Sequence, residues 1–410
     1  MAEVSHASNT AVGDGPSTAF LTLIAIAVGT LVANLYYAQP LISQIAPEIG
    51  VGPDLAGSLV SITQIGYGLG LFFLVSLSDL VESKKLVLVT LSIVAVSLVG
   101  MAVSTSAAPF FAASLLIGVC STGAQVLLPL AAHMVPVERR GRVVGNIMAG
   151  LLTGIMLARP LSLFIAASFG WRTVFFASAA VMVVIGLALY RMLPQHKPKG
   201  GMHYGQILWS MAGMLREMPA LRWRATYQFM IFAAFNLFWT VAPVMLAERF
   251  HLSTSGIGLF ALAGAGGALS APIAGRLADR GLSKIVTGAA MLALALCFAG
   301  TIAAVDALAL ITLAVLTIIL DGAVQANQIV SQRIIFSVSP ERRGRVNALY
   351  MTFTFIGGAI GSIVGTISYH WGGWNAAATV GALLGIVPFL LFMIELRTSR
   401  AVVRSHYSTP

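Results

Sequence analysis

Charge is what this sequence has least of. Of its 410 residues only 9% are Asp, Glu, Lys or Arg, while 58% are hydrophobic; an ordinary soluble domain carries about a quarter charged residues. So few charges cannot cover a water-facing surface of this size without exposing large apolar patches, which excludes a soluble globular protein. Lipid is the expected main solvent. The two cysteines, Cys120 and Cys297, both fall in apolar runs, so neither a disulfide framework nor a metal site is supported. No Gly-rich phosphate loop with its Lys occurs, and direct coupling to ATP hydrolysis is not expected. Gly264-Ala265-Gly266-Gly267-Ala268 sits inside an apolar run with no strand before it. Acidic residues number 14 against 24 basic, a net charge of +10. In water that balance would point to nucleic acid or an anionic surface, so the placement of the basic residues decides its meaning.

What is present is long apolar runs. A helix needs about 20 residues to cross the hydrocarbon core, and twelve runs qualify, at 19–43, 55–78, 85–105, 108–134, 143–168, 172–193, 224–248, 254–277, 284–304, 307–336, 344–369 and 373–396. They are too long for barrel strands and do not alternate, and the Gly and Pro within them are tolerated because neighbouring helices re-satisfy the backbone. The first run has no basic stretch before it and no convincing cleavage site after it, so it reads as a retained span. Residues 1–16 read as a polar tail, with a second tail at 398–410.

Basic residues fall in alternate loops. If the N-terminus is cytoplasmic, 21 of the 24 lie in the inner loops and tail, only Arg172 and Arg249 lie outside, and Arg159 remains inside the bilayer. Both termini are thus expected in the cytoplasm. Dispersed topogenic charge removes the case for nucleic-acid binding.

The chain also repeats itself. Pro136-Val137-Glu138-Arg139-Arg140-Gly141-Arg142-Val143 before span five returns as Pro340-Glu341-Arg342-Arg343-Gly344-Arg345-Val346 before span eleven. In the same register Gln125 maps to Gln328, Gly170 to Gly373 and Trp171 to Trp374. Leu77-Ser78-Asp79 after span two is echoed by Leu277-Ala278-Asp279 after span eight. Such self-similarity predicts two parallel six-span bundles, 17–193 and 223–397. Their connector, 194–222, opens with Pro194, Pro198 and Gly200-Gly201, then offers Ile207, Leu208, Met211, Met214 and Leu215 on one helical face, which suits the membrane interface.

Two like-sensed six-helix halves resemble the major facilitator architecture, with substrate between the halves near the midplane. The segments Asn34-Leu35-Tyr36-Tyr37-Ala38-Gln39-Pro40-Leu41, Gly66-Tyr67-Gly68-Leu69-Gly70, Leu77 to Glu82 and Gly150 to Arg159 are similar to a bacterial branch of that superfamily grouped with the twelve-span drug:proton antiporters. The resemblance covers nearly the whole chain. It implies an all-α integral membrane protein of twelve transmembrane helices in two pseudo-symmetric bundles, in a bacterial inner membrane, monomeric, without a cofactor. Of the superfamily's loop pattern after span two only Leu77, Asp79 and Lys84 hold; the second copy keeps Gly275, Leu277, Asp279, Arg280 and Lys284. Gly150, Gly154 and Pro160 are what remains of the antiporter signature of span five. Asp79, Lys84, Asp279 and Arg280, with Arg139, Arg140, Arg142, Arg342, Arg343 and Arg345, are expected to form a cytoplasmic gate.

Thirteen of the 14 acidic residues fall in tails, loops or span ends; Asp321, midway along span ten, does not. A charged, unpaired carboxylate there costs several kcal/mol, which makes it a candidate to bind and release a proton. Arg159 is its natural counter-charge. It lies 21 residues beyond Glu138, and Asp321 lies 20 before Glu341, so both sit about 30 Å from the shared anchor at 1.5 Å per residue. The depth matches; contact depends on helix rotation. Asp321, Gln325, Gln328 and Gln332 recur at 0, 4, 7 and 11, one helical face that cannot favourably meet lipid. Gln228, Phe232, Phe235, Asn236 and Trp239 of span seven, Asn34 and Tyr37 of span one and Gln125 of span four complete an expected aromatic and amide cavity. Tyr36, Gln39, Pro40 and His133 are weaker candidates. Gly357, Gly361 and Gly365, with Gly66 and Gly70, read as close-packing positions.

Such a cavity suits a largely apolar solute with one or two polar groups, a positive charge among them being attracted to aromatic faces. Proton-coupled efflux of small amphipathic compounds is the leading expectation. The alternative is a transporter of sugars, amino acids or nucleosides. An enzyme would need a nucleophile with a base, or a metal cluster, which one deep Asp and one deep Arg do not supply.

Overall fold

The computed structural model describes residues 16–78, 80–195, 203–267, 270–338 and 342–407. Asp79, Lys197, Pro198, Lys199, Gly200-Gly201 and Glu341 lie outside the described residues. Among those described, nine helices are long and apolar enough to cross a membrane. One of them, Arg343–Thr398, is two spans joined where Gly372 and Gly373 leave helical geometry. The shorter apolar helices Thr18–Ala33 and Thr254–Gly264 supply span one and the start of span eight, so each of the twelve runs is helical.

Span one is the clearest departure from the sequence expectation of a continuous run to residue 43. Its helix ends at Ala33, turns through Asn34, and resumes as the 3-10 turn Gln39–Leu41 and the short helix Ile42–Glu48. Pro40 has no N–H to return to the carbonyl four residues back, which fits its place at the start of the 3-10 turn. Span two carries a π turn at Gly70–Leu74, and span four is stepped at Thr122 between Ala107–Ser121 and Gly123–His133.

The repeat is visible in the backbone. Gly170 (φ 81°) and Gly373 (φ 61°) each turn the chain with a positive φ between consecutive spans, a geometry that costs any residue with a Cβ. Each is followed by a tryptophan, Trp171 (3% exposed) and Trp374 (4%). Trp171 packs edge-on to Phe110 and Phe175, and Trp374 edge-on to Phe238.

Within one half span one lies on span five, span two on four and span three on six; within the other, span seven lies on eleven, nine on ten and twelve. Glycines permit the closest of these approaches. A Cβ on Gly150 would come 2.6 Å from the Ala25 carbonyl oxygen, and one on Gly66 2.5 Å from that of Leu115. Gly357 and Gly361 seat span eleven on Phe229 and Ala233 of span seven. The small-residue positions thus pack helices inside each half.

The halves meet along two related lines, span two with eleven and span five with eight. The first runs the full length: Ser61 donates to the Ala359 carbonyl (2.6 Å), Thr352 to that of Gly68 (3.2 Å), and His370 lies 3.2 Å from Asp54. The second is partial. Thr254–Gly267 packs on span five, whereas Ser270–Asp279 packs on spans nine and ten. The halves are therefore parted between spans five and eight at the end that carries the Arg-rich loops, called here the basic end.

The connector helix Tyr204–Glu217 is bound to protein on its apolar face. Ile207, Met211 and Met214 are buried with Leu221, Val346 and Tyr350 of spans seven and eleven, and Ser76 of span two donates to the Met211 sulfur. Burial of each such side chain is worth about 1.5–3 kcal/mol. The face expected to lie in the membrane interface is thus spent on the bundle.

Candidate functional site

A cavity of about 330 Å³ lies between the halves, with Arg159 and Asp321 in its wall. From there it extends along Gln325, Gln328, Gln332, Phe336 and Asn347 on one side and Met156, Leu152, Met148 and Val144 on the other, toward the basic end. The stripe on span ten faces this space, as its spacing predicts. Gln125 and its repeat mate Gln328 both line it, from opposite halves; Gln125 donates to the Tyr67 hydroxyl (3.2 Å).

Arg159 (4% exposed) and Asp321 (7%) are both buried, and Trp239 is their shared neighbour. The indole N–H donates to Asp321 Oδ1 at 3.0 Å, while the guanidinium lies over the same ring, 4.7 Å from its centroid. Tyr36 and Phe235 cover the guanidinium at 4.9 and 5.0 Å. No ion pair joins Arg159 to Asp321. Each cation–π contact at a desolvated site is worth up to about 2 kcal/mol, so the three rings hold the guanidinium where a carboxylate otherwise would. Aromatic faces expected to await a positively charged solute are occupied by the protein's own cation. Asp321 is confined on its other side by span eight, where a Cβ on Gly264 would lie 2.7 Å from Oδ2.

On the side away from the basic end the cavity is closed by amides. Arg159 Nε donates to Gln39 Oε1 (3.0 Å). Gln39 Nε2 donates to Asn236 Oδ1 (3.3 Å) and Thr240 (3.2 Å), Gln64 Nε2 donates to the same Asn236 oxygen (3.2 Å), and Thr240 donates to Ser362 (3.0 Å). The bonds from Gln39 and Gln64 run from spans one and two to span seven, so they clamp the halves together, and Thr240 passes the chain on to span eleven within its own half. Gln39, a weaker candidate by sequence, is central. Gln64 was missed, although it is a full-length polar residue inside an apolar run.

Other candidates fall elsewhere. Asn34 accepts from Ser178 (2.6 Å) and meets Met182 of span six, and Tyr37 is buried among the same residues; both face their own half, away from the cavity. Gln228 is wholly buried behind the wall, accepting from Asn327 (2.7 Å) and donating to Gln328 (3.5 Å). Asn236 and Trp239 act through the clamp and Asp321, while Phe232 and Phe235 line the space. His133 is exposed, its ring 2.7 Å from the Pro129 carbonyl.

Among the described residues, expected gate residues make contacts within a half and with the connector helix. Lys84 lies over the Tyr190 ring of its own half (5.4 Å), and Asp279 pairs with Arg333 within the other. Arg342 pairs with Glu217 and Arg345 donates to Ser210, both on the connector helix (3.4 Å each). Arg139, Arg140, Arg142, Arg280 and Arg343 are exposed, and Asp79 is outside the described residues.

Two helical bundles with a polar-lined cavity at their seam define a multi-pass membrane transporter, not an enzyme. The chain belongs to the Major Facilitator Superfamily, whose model matches residues 21–319 and 224–406. It is 39% identical over 378 residues to the uncharacterized transporter YgaY of Escherichia coli, covering 92% of this chain and 95% of that one. A probable transporter of Streptomyces coelicolor is 33% identical over 389 residues, covering 91% and 87%. Among solved structures it is similar to the human organic anion transporter MFSD10 (TM-score 0.66, 19% identity, 91% of this chain and 98% of that one). The nucleoside transporter NupG superposes with TM-score 0.71 at 15% identity, covering 91% and 99%.

Proposed function

We propose that this protein is a proton-coupled exporter of small amphipathic compounds, working by alternating access as a single chain in a bacterial inner membrane. The observation that carries the reading is Asp321, a carboxyl buried at the seam of the halves, in the cavity wall, held by Trp239 across the ring from Arg159. A carboxyl in that position is costly when charged and has no ion-pair partner, so binding a proton is its natural chemistry. The positive-inside distribution supports a cytoplasmic basic end, and a cavity open to that side is the loading state of an exporter. The connector helix and both tails would then be cytoplasmic, and the Arg-rich loops would form their gate only when that side closes.

A second reading, transport of a polar metabolite on the same scaffold, is favoured by one observation: the wall carries Gln125, Gln325, Gln328, Gln332 and Asn347, enough amides to bind a hydroxylated solute. Substrate screens in proteoliposomes separate the two.

The coupling test is Asp321→Asn. In proteoliposomes with an imposed pH gradient, the variant is expected to lose gradient-driven transport while keeping substrate exchange without a gradient. Gradient-driven transport at the wild-type rate would remove Asp321 from the mechanism.

A further inference from the structure

Arg159 has more hydrogen-bonding capacity than the protein uses. Of its three nitrogens only Nε is committed, to Gln39; Nη2 is buried with no partner at all. A guanidinium stays charged under any working condition and presents a fixed fork of donors. Leaving such donors unpaired in a dry site is costly, and more so for a charged group. The site does not relieve that cost internally: Asp321 spends Oδ1 on Trp239 and forms no ion pair with Arg159. Nor can the side chain easily swing toward water, because Tyr36, Phe235 and Trp239 enclose it and Gln39 anchors it. Nothing else in the cavity wall carries a positive charge.

We propose that Arg159 is an anion subsite: the transported solute bears a carboxylate or similar oxyanion that takes the guanidinium edge left open by the protein, with its apolar body among Phe232, Phe235 and Met351. The planar fork matches a carboxylate in two-point fashion, and the rings around it accept the hydrophobic part of the same molecule. A cationic solute meets the opposite situation, since the aromatic faces that would attract it are already covered by Arg159. The inference deepens the transport reading and shares its cavity, but does not depend on Asp321 carrying the proton.

The test uses three isosteric probes on the purified full-length protein in micelles: 4-phenylbutyrate, its amide, and 4-phenylbutylamine. Binding is followed by thermal shift and by quenching of tryptophan emission. The carboxylate is expected to bind at least tenfold tighter than the amide or the amine. Arg159→Gln is expected to erase that preference, and Arg159→Lys to keep part of it. Because replacing buried Arg159 puts the fold at risk, Asp321→Asn supplies an independent arm: removing the neighbouring carboxyl is expected to leave carboxylate preference intact or strengthen it. A carboxylate that binds no better than the amide and the amine to the wild type overturns the proposal, as does a preference that survives Arg159→Gln in folded protein. If preference holds while Asp321→Asn still transports with the gradient, the anion subsite stands and the proton-coupling reading falls. If gradient-driven transport is lost but no preference is seen, the reverse follows.

Discussion

Asn236 offers the sharpest test of how the two halves are held. Its Oδ1 accepts from Gln39 at 3.3 Å and Gln64 at 3.2 Å, both on the other half of the molecule. These bonds exist only while the halves are closed away from the basic end; once parted, the two amides are solvated. Asn236→Ala removes the shared acceptor; in the closed arrangement Gln64 Nε2 loses its partner and Gln39 Nε2 keeps only Thr240. A neutral hydrogen bond contributes about 0.5–1.5 kcal/mol net, and both bonds are on the long side of the usual range. Together they are worth about 1–2 kcal/mol, which shifts the equilibrium about 5- to 30-fold toward conformers open on that side. The assay is a pulsed electron-resonance distance between spin labels at Leu55→Cys and Leu308→Cys, exposed residues at that end, one on each half. Native Cys120 and Cys297 are buried and stay unlabelled. Asn236→Ala is expected to raise the long-distance population at the expense of the short one. An unchanged distribution, in a variant that melts normally, would refute the clamp.

Three further outcomes are expected. Gly264→Ala puts a Cβ 2.7 Å from Asp321 Oδ2 and against Trp239; relieving it costs about 1–3 kcal/mol, so transport should fall at least tenfold while the fold survives, and normal transport rates would contradict the tight fit. Arg224 is 6% exposed, donates to Thr287 at 3.0 Å and sits 3.8 Å from Glu395. Breaking a buried pair costs about 3–5 kcal/mol; with Glu395 partly exposed, Arg224→Met should cost about 3 kcal/mol, read as a lowered melting temperature in micelles and partly restored by Glu395→Leu. At the far end Arg172 beside Glu48 holds that carboxyl below the usual carboxylate range. The pair therefore stabilises above the unfolded pKa, and the contribution is lost as pH falls through the lowered folded value. Exposure limits it to about 0.5 kcal/mol, so Arg172→Ala should lower the melting temperature slightly at neutral pH, leave it unchanged below the folded value, and thereby flatten the acid limb of a melting-temperature profile.

The spans were legible because hydrophobic length alone determines them, and the repeat because the chain twice spells the same turn. Gly170-Trp171 and Gly373-Trp374 show both at once, the glycine taking a positive φ and the tryptophan a buried slot. The interruption of span one was signalled only by Leu35 to Leu41, where two tyrosines, Gln39 and Pro40 follow a more apolar helix. Asn34 and Tyr37 were placed in the cavity because a polar residue in a span needs a partner. The partner proved to be Ser178 of the neighbouring helix. Sequence shows that a polar group must be satisfied, not by which neighbour. On span ten the choice was narrower, as four polar residues on one face leave only one direction that avoids lipid.

Depth and contact separate in the same way for Arg159 and Asp321. Counting residues from the repeated anchor brought them to one level, because rise per residue is fixed; no count could reveal that an indole stands beside both. That arrangement changes what the pair can do. A direct ion pair would let each charge satisfy the other. Here the guanidinium is held by rings and by Gln39, Asp321 by the edge of one of those rings, and Gln39 by the residues that close the far side. A carboxylate freed of its proton draws on Arg159 across Trp239, and any displacement of Arg159 loosens its bond to Gln39. The strength of that coupling is bounded by the bonds in the chain, about 1–3 kcal/mol for a hydrogen bond to a charged group. Under the proposed proton coupling that range is comparable to the clamp to be opened, so loss of one proton from Asp321 would bias the seam.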